Sequence, residues 1–101
     1  MTKPKLEKVV VNNIRDYIKE DYPTSVVIKI HGGMFQAAGI PDLICCINGQ
    51  FVGIEVKLPG KEKNLTKIQQ HWIDLIKKAG GVAFMATSVE QVKEMLDKCL
   101  D

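Results

Sequence analysis

The sequence predicts an α/β fold in which a mixed four-stranded sheet is flanked by helices. Asn48-Gly49 lies between two apolar runs, and this dipeptide in that setting is the strongest short-range signal for a hairpin. A helical pattern after the hairpin stops at Gly80-Gly81, and an apolar run at residues 82–86 follows directly, which indicates a β-α-β unit. The 101 residues are enough for one modest core, so we expect a single domain over residues 1–101.

The chain begins with a helix predicted over residues 4–20, which Tyr22-Pro23 ends because the residue before proline avoids helix. Its apolar residues recur at helical spacing and predict a buried stripe of Leu6, Val10, Ile14, Tyr17 and Ile18. Glu7 flanks this stripe, and its ordinary interpretation is a first-turn acid that favours the helix dipole. A short β-branched run at residues 25–30 predicts the first strand, and a glycine-containing loop follows at residues 31–39.

The hairpin is predicted over residues 42–47 and 51–58. A two-residue turn pairs Ile47 with Gln50, and stepping outward places Asp42 opposite Glu55. Like charges in opposed positions destabilise a sheet, so the repulsion between Asp42 and Glu55 must be compensated if both are ionised. Lys57 lies two residues past Glu55 and projects from the same face. Two carboxylates and an ammonium group are therefore expected to converge at one end of the hairpin.

The second helix is predicted from residue 66 or 67 to residue 79, with Thr66 and Gln69 as a capping box. Its predicted buried stripe consists of Ile68, Trp72, Leu75, Ile76 and Ala79. The run at residues 82–86 is almost entirely apolar, so we expect a fourth strand in the interior of the sheet.

The last helix is predicted to start after Ser88, which forms a second capping box with Gln91, and to continue through Leu100. Its predicted buried residues are Val92, Met95, Leu96 and Cys99. The resulting order of elements is α-β-β-β-α-β-α.

Composition restricts the partners and the compartment. The net charge of +2 permits a nucleic-acid partner without arguing for one. Adjacent Cys45 and Cys46 point to opposite faces of a strand, so we expect small buried hydrophobic residues in a reducing compartment rather than a disulfide or a metal set. No stretch approaches the roughly 20 apolar residues of a membrane span. We therefore expect a cytoplasmic protein without a membrane partner.

Pro41-Asp42, followed on the next strand by Glu55-Val56-Lys57, resembles the motif of the PD-(D/E)xK nuclease superfamily. The order of elements is similar to the restriction-endonuclease-like core of that superfamily. Within it the chain resembles the VRR-Nuc family, above all its small stand-alone viral or bacterial members. This resemblance rests further on Glu7, Gly39-Ile40-Pro41-Asp42-Leu43, Leu65-Thr66-Lys67-Ile68-Gln69-Gln70-His71-Trp72 and Ala79-Gly80-Gly81.

The resemblance implies a metal site at the hairpin. Asp42 and Glu55 would hold Mg²⁺ or Mn²⁺, with the backbone carbonyl of Val56 as a further ligand. Lys57 would orient the attacking water, help to deprotonate it, or neutralise the charge that develops on the phosphate. Glu7 would hold a metal-bound water or a second ion at the edge of the site. No organic cofactor is implied.

The resemblance also implies a supporting glutamine on the second helix. Gln69 would lie near Lys57 or the phosphate, but it is equally the capping partner of Thr66, and neighbouring Gln70 is an alternative for the supporting role.

The implied activity is a DNA endonuclease that resolves four-way (Holliday) junctions as a homodimer. The first helix, the first strand and Met34-Phe35 are candidate dimer contacts. Two alternatives stay open for the activity, namely a restriction- or nicking-type nuclease on flapped or linear duplex DNA and a catalytically silent DNA-binding module. For the charged residues themselves, the alternative is an ordinary surface salt-bridge cluster.

Overall fold

The structure is a computed structural model that describes residues 5–31 and 38–100. The predicted order of elements is confirmed. The helices are α1 (Lys5–Asp21), α2 (Lys67–Lys78) and α3 (Val89–Cys99), and the strands are β1 (Val26–Lys29), β2 (Leu43–Ile47), β3 (Gln50–Val56) and β4 (Val82–Ala86). One short 3₁₀ helix, Glu62–Asn64, precedes α2 and was not predicted. Most of the predicted glycine loop, including Met34-Phe35, lies outside the described residues.

The four strands form one mixed sheet in the order β1-β2-β3-β4. β1, β2 and β3 are antiparallel neighbours, whereas β3 and β4 are parallel and are connected by α2. The hairpin register is as predicted, because Ile47 pairs with Gln50 and Leu43 pairs with Ile54. Asn48 and Gly49 have φ values of 51° and 81°, as a type I′ turn requires.

The position of β4 differs from the prediction. We expected an interior strand because the run is apolar, but β4 is an edge strand whose partner in the sheet is β3. Both α2 and α3 pack against it, and they bury its side chains without a second neighbouring strand. The apolar run at residues 82–86 therefore predicted correctly that β4 is buried, but not that helices rather than a second strand bury it.

The predicted stripe of α1 is confirmed at Ile14 and Ile18, and Val10 and Tyr17 are half-buried against the core, but its first turn differs from the prediction. Glu7, Val11, Ile14 and Ile18 are buried, whereas Leu6 is 67% exposed. The buried positions follow the i, i+4, i+7, i+11 pattern of one helix face. The prediction favoured Leu6 because it is apolar, but this face begins with a glutamate instead.

The predicted buried stripe of α2 is wrong, because the helix turns a different side towards the sheet. The buried residue of α2 is Ile73, while Ile68 and Leu75 are 47% and 42% exposed. Ile76 Cδ1 lies 2.8 Å from the position that a Cβ of Gly53 would take, so α2 approaches β3 closely at this glycine. The helix rests on the sheet through Ile73 and Ile76 and leaves one apolar flank uncovered.

The two hairpin cysteines have opposite environments. Cys45 is buried as predicted, whereas the prediction for Cys46 is wrong because Cys46 is exposed. Burial raises the pKa of the Cys45 thiol to about 12, so this thiol is not nucleophilic at neutral pH. Both cysteines and Cys99 are free thiols.

Gly53→Val is expected to lower the free energy of unfolding by about 2 kcal/mol, the usual range for an overpacked contact. The new side chain would meet Ile76 Cδ1 and Pro41 Cγ, which lie 2.8 Å and 3.3 Å from the Cβ position. Urea unfolding measures the loss. If the contact with Ile76 is the cause, the double variant Gly53→Val, Ile76→Ala loses less than the sum of the two single variants. Additive losses would contradict it.

Candidate active site

Among the residues that the structure describes, four charged side chains are buried: Glu7 on α1, Asp42 before β2, Glu55 on β3 and Lys57 just after β3. Glu55 is the extreme case, since only 1% of it is exposed. Charged residues are almost never buried to this extent unless they are paired. The burial excludes the alternative of a surface salt-bridge cluster for Asp42, Glu55 and Lys57.

Asp42 is fixed between β1 and β3 by backbone contacts. Its carbonyl oxygen accepts a hydrogen bond of 2.8 Å from the Ile30 N–H. Its side-chain Oδ2 accepts a buried hydrogen bond of 2.7 Å from the Val56 N–H. A backbone amide that donates to a carboxylate forms a short, charge-assisted bond, which holds the Asp42 side chain in place where β2 begins.

Glu55 and Lys57 project from the same face of β3, as predicted. Lys57 Nζ lies 3.7 Å from Glu55 Oε2, and both side chains are almost fully buried. This separation is longer than a direct N⁺–H···O⁻ hydrogen bond of about 2.7–2.9 Å. Removing two charges from water costs free energy that offsets much of the attraction between them, so a buried ion pair contributes little to the stability of the fold. A functional reason for the pair is therefore favoured.

The backbone of Val56 presents its carbonyl to the same side as Asp42. The next residue, Lys57, donates its N–H to Ala86 O on β4, so the backbone groups of Lys57 face β4. Alternation along the strand turns the N–H and C=O of Val56 to the opposite side, where its N–H reaches Asp42 Oδ2. The Val56 carbonyl is thus expected to lie beside Asp42, one of the two carboxylates that are expected to bind the same metal ion.

Glu7 occupies the first turn of α1 and is buried in line with Val11. The helix that carries it packs against β3, which carries Glu55. Within residues 5–31 and 38–100, no group of three or more His, Cys, Asp or Glu side chains is close enough to hold a metal ion. The expected ligand set has two carboxylate side chains and one backbone carbonyl, and the role of Glu7 at its edge stays a prediction.

The two glutamines of α2 have other contacts. The capping box is confirmed, because Gln69 Oε1 accepts from the Thr66 N–H at 2.9 Å and Thr66 Oγ1 accepts from the Gln69 N–H. Gln70 Nε2 donates to Asp74 Oδ1 on the exposed surface of the helix. Gln69 is therefore confirmed as the capping partner of Thr66. A supporting role in the active site stays a prediction for both glutamines.

Thr87 is a candidate that the sequence did not reveal. It is buried, and continuing the parallel register beyond Val56 and Ala86 places it opposite Lys57 on the same face of the sheet. Its N–H is capped by Gln91 Oε1 at 2.7 Å. In the sequence, Thr87 is marked only by its position directly after the apolar run of β4. Its place opposite Lys57 follows only when the parallel register of β3 and β4 is known.

The oxygen atoms of this site fit a small hard cation. Two carboxylates and a backbone carbonyl are the ligand types that Mg²⁺ and Mn²⁺ prefer, and Mg²⁺ binds readily through one or two carboxylates while retaining water. A metal ion would also offset the repulsion between Asp42 and Glu55. The neighbouring Lys57 ammonium adds a donor and a positive charge, which suits chemistry on a phosphate group.

Comparison with known proteins identifies the fold. One solved structure, described as "VRR_NUC domain protein", superposes with a TM-score of 0.69 at 22% identity and covers 97% of this chain and 90% of its own. A second, described as "VRR_NUC domain", has a TM-score of 0.59 at 24% identity over 85% of this chain and 92% of its own. No family model and no curated protein matches the sequence. The chain therefore has the fold of VRR_NUC domains, and the predicted resemblance is confirmed in its architecture.

None of the helices in the described part of the chain is long and apolar enough to span a membrane.

Proposed function

We propose, on the premise that the chain has the VRR_NUC fold, that it is a Mg²⁺- or Mn²⁺-dependent endonuclease that hydrolyses phosphodiester bonds in branched DNA. The observation that carries the proposal is the buried group of Asp42, Glu55 and Lys57 at the end of the hairpin. The solved neighbours described as VRR_NUC domains support the same chemistry. We place the enzyme in the cytoplasm.

In this proposal Asp42, Glu55 and the carbonyl of Val56 hold the divalent ion. Such an ion, when bound, polarises the scissile phosphate and lowers the pKa of an attacking water. The hydrogen bond from the Val56 N–H holds the Asp42 carboxylate in position for the ion. Lys57 orients the water or stabilises the negative charge that develops on the phosphate oxygens. Glu7 and Gln69 support the site at its edges.

The substrate in this proposal is a four-way (Holliday) junction, and the active species is a homodimer. Two sites related by a two-fold axis match the two-fold symmetry of such a junction. No organic cofactor takes part.

A panel of substrates tests this proposal against its two alternatives. A synthetic four-way junction with an immobile core, a flap and a linear duplex of the same sequence are incubated with the protein and Mg²⁺ or Mn²⁺. We expect cleavage of the junction at least about tenfold faster than cleavage of the duplex, that is, more than about 1.4 kcal/mol of discrimination. Equal rates would favour a restriction- or nicking-type nuclease. Binding of the junction without cleavage of any substrate would favour a silent DNA-binding module.

The exposed lysines that follow Lys57 are expected to bind the DNA backbone. Lys61, Lys63 and Lys67 lie on the segment that connects β3 to α2 and on the first turn of α2. Their triple alanine variant should bind junction DNA more weakly, and its slope of log K against log[salt] should fall by about 2–3. Fluorescence anisotropy at several salt concentrations measures both quantities. The matched control, Lys93→Ala with Lys98→Ala on α3, should leave the slope unchanged, and an equal effect in the control would contradict the assignment.

A further inference from the structure

Thr87 directly follows β4 and lies beside the lysine of the candidate active site. The parallel register pairs Val56 with Ala86, so the next residues along the two chains, Lys57 and Thr87, are opposite each other. The two segments are still bonded at this point, because the Lys57 N–H donates to Ala86 O at 3.0 Å. Neighbouring strands lie about 4.8 Å apart, so the side chains of Thr87 and Lys57 are adjacent on one face of the sheet.

Thr87 is a polar residue on an otherwise apolar face of β4. The register places Met85 opposite Glu55 on this face, and Ala83, the residue before it on the same face, is also apolar. The hydroxyl group therefore occurs in the row of Lys57, at a position where only 6% of Thr87 is exposed. Valine has nearly the same shape and is also β-branched, so packing alone does not require a threonine here.

The hydroxyl group of Thr87 is available for a ligand. In residues 5–31 and 38–100, Thr87 donates its backbone N–H to Gln91, and its hydroxyl group makes no hydrogen bond. In the same part of the chain, the buried side-chain oxygen that lacks a partner is Ser25 Oγ, so the Thr87 hydroxyl is not enclosed in the core. An unbonded hydroxyl on the face of Lys57 can donate to a group that enters the site.

Gln91 holds the backbone of Thr87 in place. In a full capping box, the glutamine at the third helical position accepts from the N–H of the N-cap residue. Ser88 is the N-cap of α3, and its Oγ accepts from the Gln91 N–H at 3.2 Å, as predicted. The Gln91 side chain instead reaches the residue before the N-cap and accepts from the Thr87 N–H at 2.7 Å. The second predicted capping box is therefore only half formed, and its other bond fixes Thr87 at the end of β4.

We infer that the Thr87 hydroxyl donates a hydrogen bond to a non-bridging oxygen of the scissile phosphate, beside the Lys57 ammonium group. Lys57 Nζ lies 3.7 Å from Glu55 Oε2, which is too long for a hydrogen bond, so the ammonium donors face the same space. One charged and one neutral donor then stabilise the charge that develops on the phosphate. Thr87 touches the substrate in this arrangement. The inference deepens the proposed function and rests on it, because its ligand is the phosphate that the nuclease cleaves.

Two variants of Thr87 separate this role from packing. Thr87→Val keeps the shape and loses the donor, whereas Thr87→Ser keeps the donor and loses a buried methyl group. In single turnovers with Mg²⁺, Thr87→Val should cleave the four-way junction at least about tenfold more slowly, and Thr87→Ser should stay within about threefold of the wild type. Urea unfolding should give the opposite order, because only the serine variant loses packing. Cleavage by Thr87→Val at the wild-type rate would overturn the inference.

Sulfur substitution in the DNA identifies the atom that Thr87 contacts. Each non-bridging oxygen of the scissile phosphate is replaced by sulfur in turn, and both proteins are assayed on both substrates. One of the two substitutions should slow the wild type at least about threefold more than it slows Thr87→Val, because the variant has no hydroxyl bond to lose. Equal slowing of the two proteins by both substitutions would overturn the contact.

DNA binding gives a measurement that does not depend on cleavage. With Ca²⁺ in place of Mg²⁺, Thr87→Val should bind junction DNA at least about threefold more weakly in fluorescence anisotropy, since one hydrogen bond to a charged group is lost. The matched control, Ser25→Ala, removes an unbonded buried hydroxyl before β1, near the hairpin turn, and should bind like the wild type.

The binding comparison also separates the two proposals. A wild type that binds the junction and cleaves nothing contradicts the proposed function, while weaker binding by Thr87→Val still supports the contact with phosphate. Equal binding by Thr87→Val and the wild type would overturn the contact whether or not the wild type cleaves DNA. A wild type that does not bind DNA would overturn both.

Discussion

Asp42→Asn is expected to reduce DNA cleavage at least about 1,000-fold while the protein keeps its fold. Asparagine retains a side-chain carbonyl oxygen that can accept from the Val56 N–H, so the hydrogen bond of 2.7 Å has a replacement. It loses the negative charge with which Asp42 would hold the divalent ion. A metal ion contributes several kcal/mol to transition-state stabilisation, and about 4 kcal/mol corresponds to the expected factor.

Single-turnover cleavage of the four-way junction with saturating Mg²⁺ measures this effect, and circular dichroism verifies the fold. The matched control is Asp97→Asn on the exposed surface of α3, which should cleave at the wild-type rate. A folded Asp42→Asn variant with more than about a tenth of wild-type activity would exclude Asp42 from the metal site.

Lys57→Met is expected to lower both stability and activity, for different reasons. It removes the ammonium group that lies 3.7 Å from Glu55 Oε2 and so breaks a buried ion pair. Removing one partner of a buried ion pair typically costs about 3–5 kcal/mol, which urea unfolding in the presence of EDTA should detect. The cleavage rate should fall at least about 100-fold, because the site loses its charged donor.

The double variant Lys57→Met, Glu55→Gln separates the two effects. Removing the carboxylate charge as well should recover much of the lost stability, since a neutral pair avoids the cost of a buried charge. Cleavage should remain abolished. If the double variant regained activity together with stability, Lys57 would have only a structural role.

Mg²⁺ provides a further comparison for the single variant. If Glu55 is a metal ligand, Mg²⁺ should raise the stability of Lys57→Met more than that of the wild type, because the ion replaces the missing positive charge. An equal shift in both proteins would argue against metal binding by Glu55.

The hairpin and its charged end were predictable from the sequence because local rules determine them. Asn48-Gly49 requires a two-residue turn, and the turn fixes the register that brings Asp42 towards Glu55. Alternation then places Lys57 on the face of Glu55. Sequence reasoning did not reveal that Asp42 bonds to the Val56 amide, because this contact depends on where β2 begins relative to β3.

The errors of prediction have one physical origin, which is that periodicity identifies an apolar face without identifying its neighbour. The stripe of α2 was recognised correctly as apolar. Because Gly53 has no Cβ, however, the helix packs closely on the sheet there, through Ile76 and Ile73. Ile68 and Leu75 are left exposed. The same limit explains β4, whose side chains are buried by helices and not by a second strand.

Titration of Mn²⁺ into the DNA-free protein tests the central claim most directly, namely that Asp42 and Glu55 hold a divalent ion. Calorimetry compares the wild type with the double variant Asp42→Asn, Glu55→Gln. We expect saturable Mn²⁺ binding by the wild type, none by the folded double variant, and retained binding of junction DNA by both. Equal Mn²⁺ binding by the two proteins, or no binding by the wild type, would contradict it.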